Sequence, residues 1–188
     1  MKTSPKKILA ISGSTKQGSS NGAVLRYLAE HFQNRLTVEL YEAIDTLPHF
    51  NPDLDQAIPP TAVIALREKI AAADGVIFCT PEYVFSLPGS LKNAIEWTVS
   101  TTLFSNKAVA IIIAATSGEK AMEALTLILT TIEARIAPEA KLLIKGIRGK
   151  MNAAGKLQDE KTEAQLSNLV DAFLKSILTE NPQPDKYV

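Results

Sequence analysis

The sequence lacks the features that mark proteins which bind nucleic acids or rely on disulfides. Its 188 residues contain 20 basic and 20 acidic side chains, so the net charge is zero and no basic stripe is present. A polyanion would find no attractive field. Cys79 is the only cysteine, which excludes an internal disulfide framework and is typical of a reducing compartment.

Long apolar runs are also missing. The longest one, Ala108–Ala115, is far shorter than the roughly 20 residues that span a bilayer. Near the start of the sequence only Ile8–Ile11 is apolar, and a signal peptide has a longer apolar centre. We therefore predict a soluble cytoplasmic protein with neither a membrane nor a nucleic acid as its partner.

Metal-ligand patterns and an activated thiol are absent as well. No group of His, Cys, Asp and Glu shows a recognisable metal-ligand spacing. Cys79 follows the apolar run Val76–Phe78 and has no neighbouring base in the sequence, so we interpret it as a small buried residue. The sequence predicts no metal site and no catalytic cysteine.

Helix and strand signals alternate along the chain, which predicts one domain over residues 1–180 and a fraying tail at 181–188. Strands are predicted at Lys7–Ser12, Leu36–Tyr41, Gly75–Thr80, Ala108–Ala115 and Lys141–Lys145. Helices are predicted at Asn21–Phe32, Thr61–Ala73, Pro88 to about Ser100, Glu119–Ile136 and Glu160–Leu178. The proline-rich segment from Ile44 to Pro60 is predicted to be a long loop.

This alternation predicts an α/β fold, a three-layer sandwich around a five-stranded parallel sheet of order 2-1-3-4-5. In such sheets ligands bind beyond the carboxyl ends of the strands, where the strand order reverses. Here that point lies between the first and third strands. Three loops should meet there: Gly13–Ser20, Pro81–Leu87 and Thr116–Lys120.

The first loop has the composition of an anion-binding loop. It is rich in Gly and Ser and leads into a helix, whose first backbone amides have no partner within the helix and carry partial positive charge. Its polar side chains can donate hydrogen bonds or neutralise charge: Ser14, Lys16, Ser19, Ser20 and Asn21. Asn21 could also cap the helix, and a plain polar turn with a cap remains the alternative.

Two other phosphate-binding motifs are incomplete in this loop. Gly13 and Gly18 have the spacing of a Walker A loop, but Ser19 stands where that motif requires Lys. No GxGxxG is present, which weakens a dinucleotide site of the Rossmann type. A hydroxyl-rich loop with one cation suits a terminal monophosphate better, such as that of flavin mononucleotide (FMN).

The second loop carries a more specific signal, the segment TPEYVFSLPGSLKNAIEW. Together with the first loop it resembles the NADPH-dependent FMN reductase family, which includes flavodoxin-like quinone, chromate and azo-compound reductases. The family's first loop has the form GSxRxxSxN and its second the form PEYNxSxPGxLKNAIDW. Three positions differ from these forms: Lys16 replaces Arg, Val84 replaces Asn and Glu96 replaces Asp. The segment Leu47–Asp55 also resembles the family's loop after the second strand.

The resemblance implies a division of the site into a phosphate end and a ring end. Ser14, Lys16, Ser19 and Asn21 would hold the phosphate of FMN, while Pro81, Glu82, Tyr83 and Val84 would line the isoalloxazine. Tyr83 and Phe85 offer aromatic surface. Many members of the family carry a Gly-rich third loop. In this chain the corresponding contacts would be Ser117 and Gly118.

The resemblance implies a flavodoxin-like, FMN-dependent oxidoreductase. NADPH or NADH would reduce the flavin, which would then reduce a quinone, azo compound, flavin or metal oxyanion, and no catalytic side chain is predicted. The resemblance also implies a homodimer or homotetramer. Two alternatives stay open: an electron carrier without its own small substrate, disfavoured by the zero net charge, and a related fold that has lost its cofactor.

Overall fold

The computed structural model describes residues 4–152 and 154–179, so the predicted tail at 181–188 lies outside the described residues. The strands are β1 (Lys6–Ser12), β2 (Leu36–Tyr41), β3 (Gly75–Thr80), β4 (Ala108–Ala115) and β5 (Lys141–Lys145). The helices are α1 (Ser20–His31), α2 (Thr61–Ala72), α3 (Gly89–Glu96), α4 (Glu119–Thr131) and α5 (Glu160–Leu178). A short 3-10 helix, Ile147–Lys150, follows β5.

All five strands form one parallel sheet in the order β2-β1-β3-β4-β5. This confirms the predicted strand order. Because the strands are parallel, their carboxyl ends lie at the same edge of the sheet. The loops that follow β1, β3, β4 and β5 therefore begin side by side.

Both faces of the sheet are covered by helices. Leu9 and Ile11 of β1 belong to an apolar cluster with α2, α3 and α4, whereas Ile8 and Ala10 belong to a second cluster with α1 and α5. Every residue of β3 and β4 is buried. Since the two faces are closed, a polar ligand can reach the sheet only at the ends of its strands. No helix in the described residues is long and apolar enough to cross a bilayer.

Helix α4 ends earlier than the sequence predicts. It stops at Thr131 rather than Ile136, because Glu133 adopts a left-handed conformation with φ of 62°. The amide of Glu133 donates to Thr130 O and that of Ala134 donates to Leu129 O, which is the Schellman pattern that closes helices. Arg135 then pairs with the start of β4. Helix α3 is also shorter than predicted, with turns in place of helix over 97–100.

Two tight features of the backbone shape the loops at the carboxyl edge. Gly13 donates its amide to Cys79 O at 2.8 Å, and a Cβ at this position would lie 2.2 Å from Thr80 Oγ1. After β3, Tyr83 and Ser86 exchange two backbone hydrogen bonds of 2.9 and 3.0 Å. The two residues between them, Val84 and Phe85, both have positive φ, at 51° and 56°.

We expect Gly13→Ala to destabilise the fold. The added methyl group would collide with the buried Thr80 side chain and force the ends of β1 and β3 apart, so the free energy of unfolding should fall by roughly 1–3 kcal/mol. Urea denaturation followed by circular dichroism measures this. The control is Gly89→Ala, because a Cβ at Gly89 meets nothing within 4 Å. Equal stability of the two variants would contradict the predicted collision.

We expect Val84→Asn to stabilise the protein. Val84 is 97% exposed, so the substitution removes almost no packing, while a β-branched residue at positive φ is strained and Asn tolerates that region. The gain should be about 1 kcal/mol. The control is Val99→Asn, at an exposed position without positive φ, which should not stabilise the protein. Thermal unfolding of both variants checks the prediction, which a loss of stability in Val84→Asn would contradict.

Candidate functional site

A cavity of about 360 Å³ opens at the carboxyl edge of the sheet. Its volume lies within the range of small-ligand sites. Residues from the first and second loops line it together, so the structure brings most of the predicted site residues to one place. These residues are Ser14, Lys16, Ser19, Ser20, Asn21, Pro81, Glu82 and Tyr83.

The start of α1 forms one wall of the cavity. Ser19 is the N-cap residue, and its Oγ accepts a hydrogen bond of 3.1 Å from the Gly22 amide. The amides of Ser20 and Asn21 have no acceptor among the described residues. Two free amides at the positive end of a helix dipole therefore lie beside the Lys16 side chain at the cavity.

The first loop is held in shape by its own hydroxyl groups. Ser12 Oγ donates to Ser14 O at 3.2 Å and accepts from the Ser14 amide at 3.3 Å. Ser14 Oγ in turn accepts from the Lys16 amide at 3.3 Å. These local bonds replace the backbone partners that the loop would otherwise need, and they fix its curvature around the cavity.

Asn21 does not cap the helix, because Ser19 does. The Asn21 side chain is nearly buried and joins three elements of the fold. Its Nδ2 donates to Ala114 O at the end of β4, and its Oδ1 accepts from Cys79 Sγ, both at 3.4 Å. The Cys79 thiol is fully buried, and that burial raises its pKa above the ordinary value. Cys79 is thus a packing residue that supports Asn21, not an exposed nucleophile.

Glu82 links the second loop to the third. Its Oε2 accepts a hydrogen bond of 2.9 Å from the amide of Ala121, in the first turn of α4. Gly118, the residue that precedes α4, makes no side-chain cap, so Glu82 provides that cap from another loop. The family resemblance implies only that Glu82 lines the isoalloxazine ring of the flavin. In the structure its carboxylate also holds α4 against the loop after β3.

The second loop offers fewer backbone amides than its sequence suggests. Pro81 has no N–H, and the Tyr83 amide is bonded to Ser86 O. The amides of Glu82 and Val84 have no acceptor among the described residues, and of these two residues only Glu82 lines the cavity. The Val84 side chain is exposed and lies outside the cavity lining, and Phe85 is exposed beside it.

Ser117 and Gly118 do not line the cavity. Gly118 has a φ of 128°, and a Cβ there would lie 2.6 Å from Leu143 Cδ1, so a side chain at this position would collide with β5. Ser117 is exposed. The wall at this point is formed by the preceding residues, Ala114–Thr116, at the end of β4.

The segment 146–149 also lines the cavity, although no sequence motif indicates it. Gly146 has a left-handed backbone, with φ of 64°, and donates its amide to Ala115 O at 2.8 Å. This bond turns the chain after β5 toward the cavity and brings Arg148 to its wall. The predicted topology could have indicated this segment. It follows a parallel strand, and all strands of a parallel sheet end at the same edge.

Several residues of the second motif have a structural role away from the cavity. Asn93 Nδ2 and Trp97 Nε1 both donate to Pro48 O, at 2.9 and 2.8 Å, and Asn93 Oδ1 accepts from the Phe50 amide at 2.7 Å. Arg67 forms an ion pair of 2.7 Å with Asp55 and donates to Trp97 O. The motif therefore fastens the long loop after β2 against α3.

The donor set of the cavity fits FMN. A phosphate monoester needs several hydrogen-bond donors and a cation, and the wall at α1 supplies free amides, serine hydroxyls and Lys16. The wall at the second loop supplies the phenol ring of Tyr83, which is 54% exposed, for contact with a flat ring system. The wall at α1 and the wall at the second loop belong to one cavity. FMN, an elongated molecule with a phosphate at one end and a ring system at the other, needs both.

Comparison with known proteins agrees with this chemistry. The model of the NADPH-dependent FMN reductase family matches residues 6–148. An NADH:(hydroxy)cinnamate reductase subunit of Vibrio ruber is 34% identical over 172 residues, which cover 88% of this chain and 84% of that protein. An NAD(P)H-dependent FMN reductase of Pseudomonas aeruginosa is 33% identical over 89% of this chain and 92% of that protein.

A solved structure is similar over nearly its whole length. The flavoenzyme NAD(P)H:(acceptor) oxidoreductase FerB of Paracoccus denitrificans superposes with a TM-score of 0.78 at 30% identity, covering 92% of this chain and 97% of that one. These matches confirm the flavodoxin-like fold, the oxidoreductase class and the FMN and NAD(P)H cofactors that the sequence motifs predict. With a family match over most of its length and relatives above 30% identity, the chain belongs to the NADPH-dependent FMN reductase family.

Proposed function

We propose that this chain uses bound FMN to pass hydride from NADPH or NADH to a small oxidised acceptor such as a quinone, an azo compound, a flavin or a metal oxyanion. One observation carries the proposal. A single cavity joins a helix start that can hold a phosphate to a loop with an exposed aromatic ring. The bound flavin supplies the hydride chemistry, and the protein supplies binding and orientation.

At the phosphate end, the chain's own groups bind and orient the cofactor. The amides of Ser20 and Asn21, the Ser14 and Ser19 hydroxyls and the Lys16 ammonium group surround the same space. Lys16 contributes a point charge where Arg would contribute a planar fork, so positioning depends more on the amides and hydroxyls. Asn21 acts by its backbone, because its side chain is held by Ala114 and Cys79.

At the ring end, the second loop supplies one aromatic surface and two free amides. The amides of Glu82 and Val84 can donate to the oxygens and nitrogens of the flavin's pyrimidine ring, where negative charge gathers on reduction. Ser117 and Gly118 stay proposed contacts of this ring through the third loop. Tyr83, Val84 and Phe85 also leave exposed apolar surface beside the opening, which favours flat, apolar acceptors such as quinones.

Flavin spectroscopy tests this function against the electron carrier. We expect the purified protein to bind FMN, NADPH or NADH to bleach the flavin absorbance, and a quinone to restore it with continuous turnover. Free FMN at the same concentration is the control for the uncatalysed reaction. Bound flavin whose absorbance neither NADPH nor NADH bleaches would favour the electron carrier. No colour after incubation with FMN would contradict both functions.

We propose further that the chain acts in the cytoplasm as a homodimer or homotetramer, with helices beside the site closing it from a second subunit. Val99, after α3, and Leu127, on α4, are both exposed. Both helices belong to the layer of the fold next to the second loop. A second copy of the chain that covered these apolar side chains would bury their exposed surface, which is energetically favourable.

Light scattering tests the assembly. We expect a mass of two or four chains of 20.3 kDa, and a shift toward the monomer in Leu127→Asp, because a charge would be buried at the contact. The matched control is Leu178→Asp on α5, on the other face of the sheet, where Leu178 is similarly exposed. A monomeric parent protein, or the same shift in both variants, would contradict this assembly.

A further inference from the structure

We infer that Arg148 is a second cation for the phosphate of FMN and provides the guanidinium group that the first loop lacks. This inference rests on the function proposed above. The family's first-loop motif has Arg where this chain has Lys16, and nothing in the two motifs assigns a role to Arg148. A guanidinium group binds phosphate through paired hydrogen bonds, which an ammonium group cannot form.

Two neighbouring carbonyl groups bring Arg148 to the start of α1. Ala114 O accepts from the Asn21 side chain, in the first turn of α1, and Ala115 O accepts from the Gly146 amide. Consecutive residues at the end of β4 thus anchor the helix start and the turn after β5. Arg148 lies two residues beyond that anchor, in the wall of the same cavity as Ser19 and Ser20.

Arg148 also lies on the correct face of the sheet. Its neighbour Ile147 belongs to the apolar cluster of α1 and α5, together with Val24 and Leu25 of α1. The second loop, by contrast, leads into α3 in the other layer. The Arg148 turn is therefore on the side of the phosphate end of the cavity.

The side chain of Arg148 is free to bind an anion. It is exposed and has no hydrogen bond or ion pair within the described residues. Lys16, by contrast, lines both this cavity and a second hollow of about 440 Å³ on the β2 side, as Ser14 and Ser19 also do. Glu42 and Asp45 also line that hollow, with Glu42 paired to Arg26, whereas Arg148 lines the first cavity and not the second.

Flavin binding with and without the phosphate tests this role. We expect Arg148→Ala to weaken the binding of FMN by about tenfold at low salt, since an exposed charged contact to phosphate is lost. Binding of riboflavin, which has the same ring but no phosphate, should stay unchanged. Quenching of flavin fluorescence on binding gives both dissociation constants without any turnover. The FMN difference should shrink at high salt, because ions screen exposed charges.

Two further variants control for charge and for folding. Arg148→Lys should recover part of the FMN affinity because it keeps the charge without the planar fork. Lys141→Ala removes an exposed cation at the other end of β5 and should leave both flavins unaffected. Melting temperatures of all variants establish that each is folded.

The outcomes separate this inference from the proposed function. The parent protein should bind FMN more tightly than riboflavin. If Arg148→Ala keeps the same preference for FMN, the inference is wrong and the proposed function stands. An equal loss for FMN and riboflavin in Arg148→Ala would assign Arg148 to the ring or to the fold and also overturn the inference. If the parent protein binds neither FMN nor riboflavin, the proposed function is wrong, and the inferred contact between Arg148 and the phosphate is wrong as well.

Discussion

The site depends on one constraint, the burial of the parallel sheet on both faces. With helices on each side, β3 and β4 have no exposed position, so polar groups can gather only at the strand ends. The close approach of β1 and β3 at Gly13 brings the first two loops together at that edge. The cavity is therefore a consequence of how the core is packed, and it needs no movement of the sheet to form.

Hydrogen bonds between segments distant in the sequence give this edge its rigidity. Asn21 joins α1 to β4, Glu82 joins the second loop to α4, and Gly146 joins the turn after β5 to β4. Each bond connects segments far apart in the sequence, so the walls of the cavity are set before any ligand binds. The hairpin tip at Val84 and Phe85 differs, since it is exposed and its left-handed backbone is not favoured by its own residues.

The sequence predicted the strand order and most of the cavity wall because both follow from local patterns: apolar runs, a Ser-rich loop before a helix, and a recognisable second motif. It failed where the determinant was not local. Glu133 closes α4 in a conformation that usually calls for Gly, so the stop signal was hidden. The partner of Glu82 is 39 residues away, and no motif indicates a contact of that kind. Arg148 follows β5, at a distance from the switch point between β1 and β3, and it belongs to no motif in the sequence.

The arrangement of charge around the cavity follows from the same interactions. Positive groups stand at the α1 wall, where a phosphate would lie, and the one carboxylate in the second-loop wall belongs to Glu82. A free carboxylate there would oppose the negative charge that reduction adds to a flavin. The Ala121 amide and the dipole of α4 stabilise this carboxylate. The pKa of Lys120 is raised, first by its hydrogen bond to Glu123 and further by the charges of Glu119 and Glu82. The contact that fixes α4 in place thereby also reduces the electrostatic cost of a carboxylate beside the proposed flavin ring.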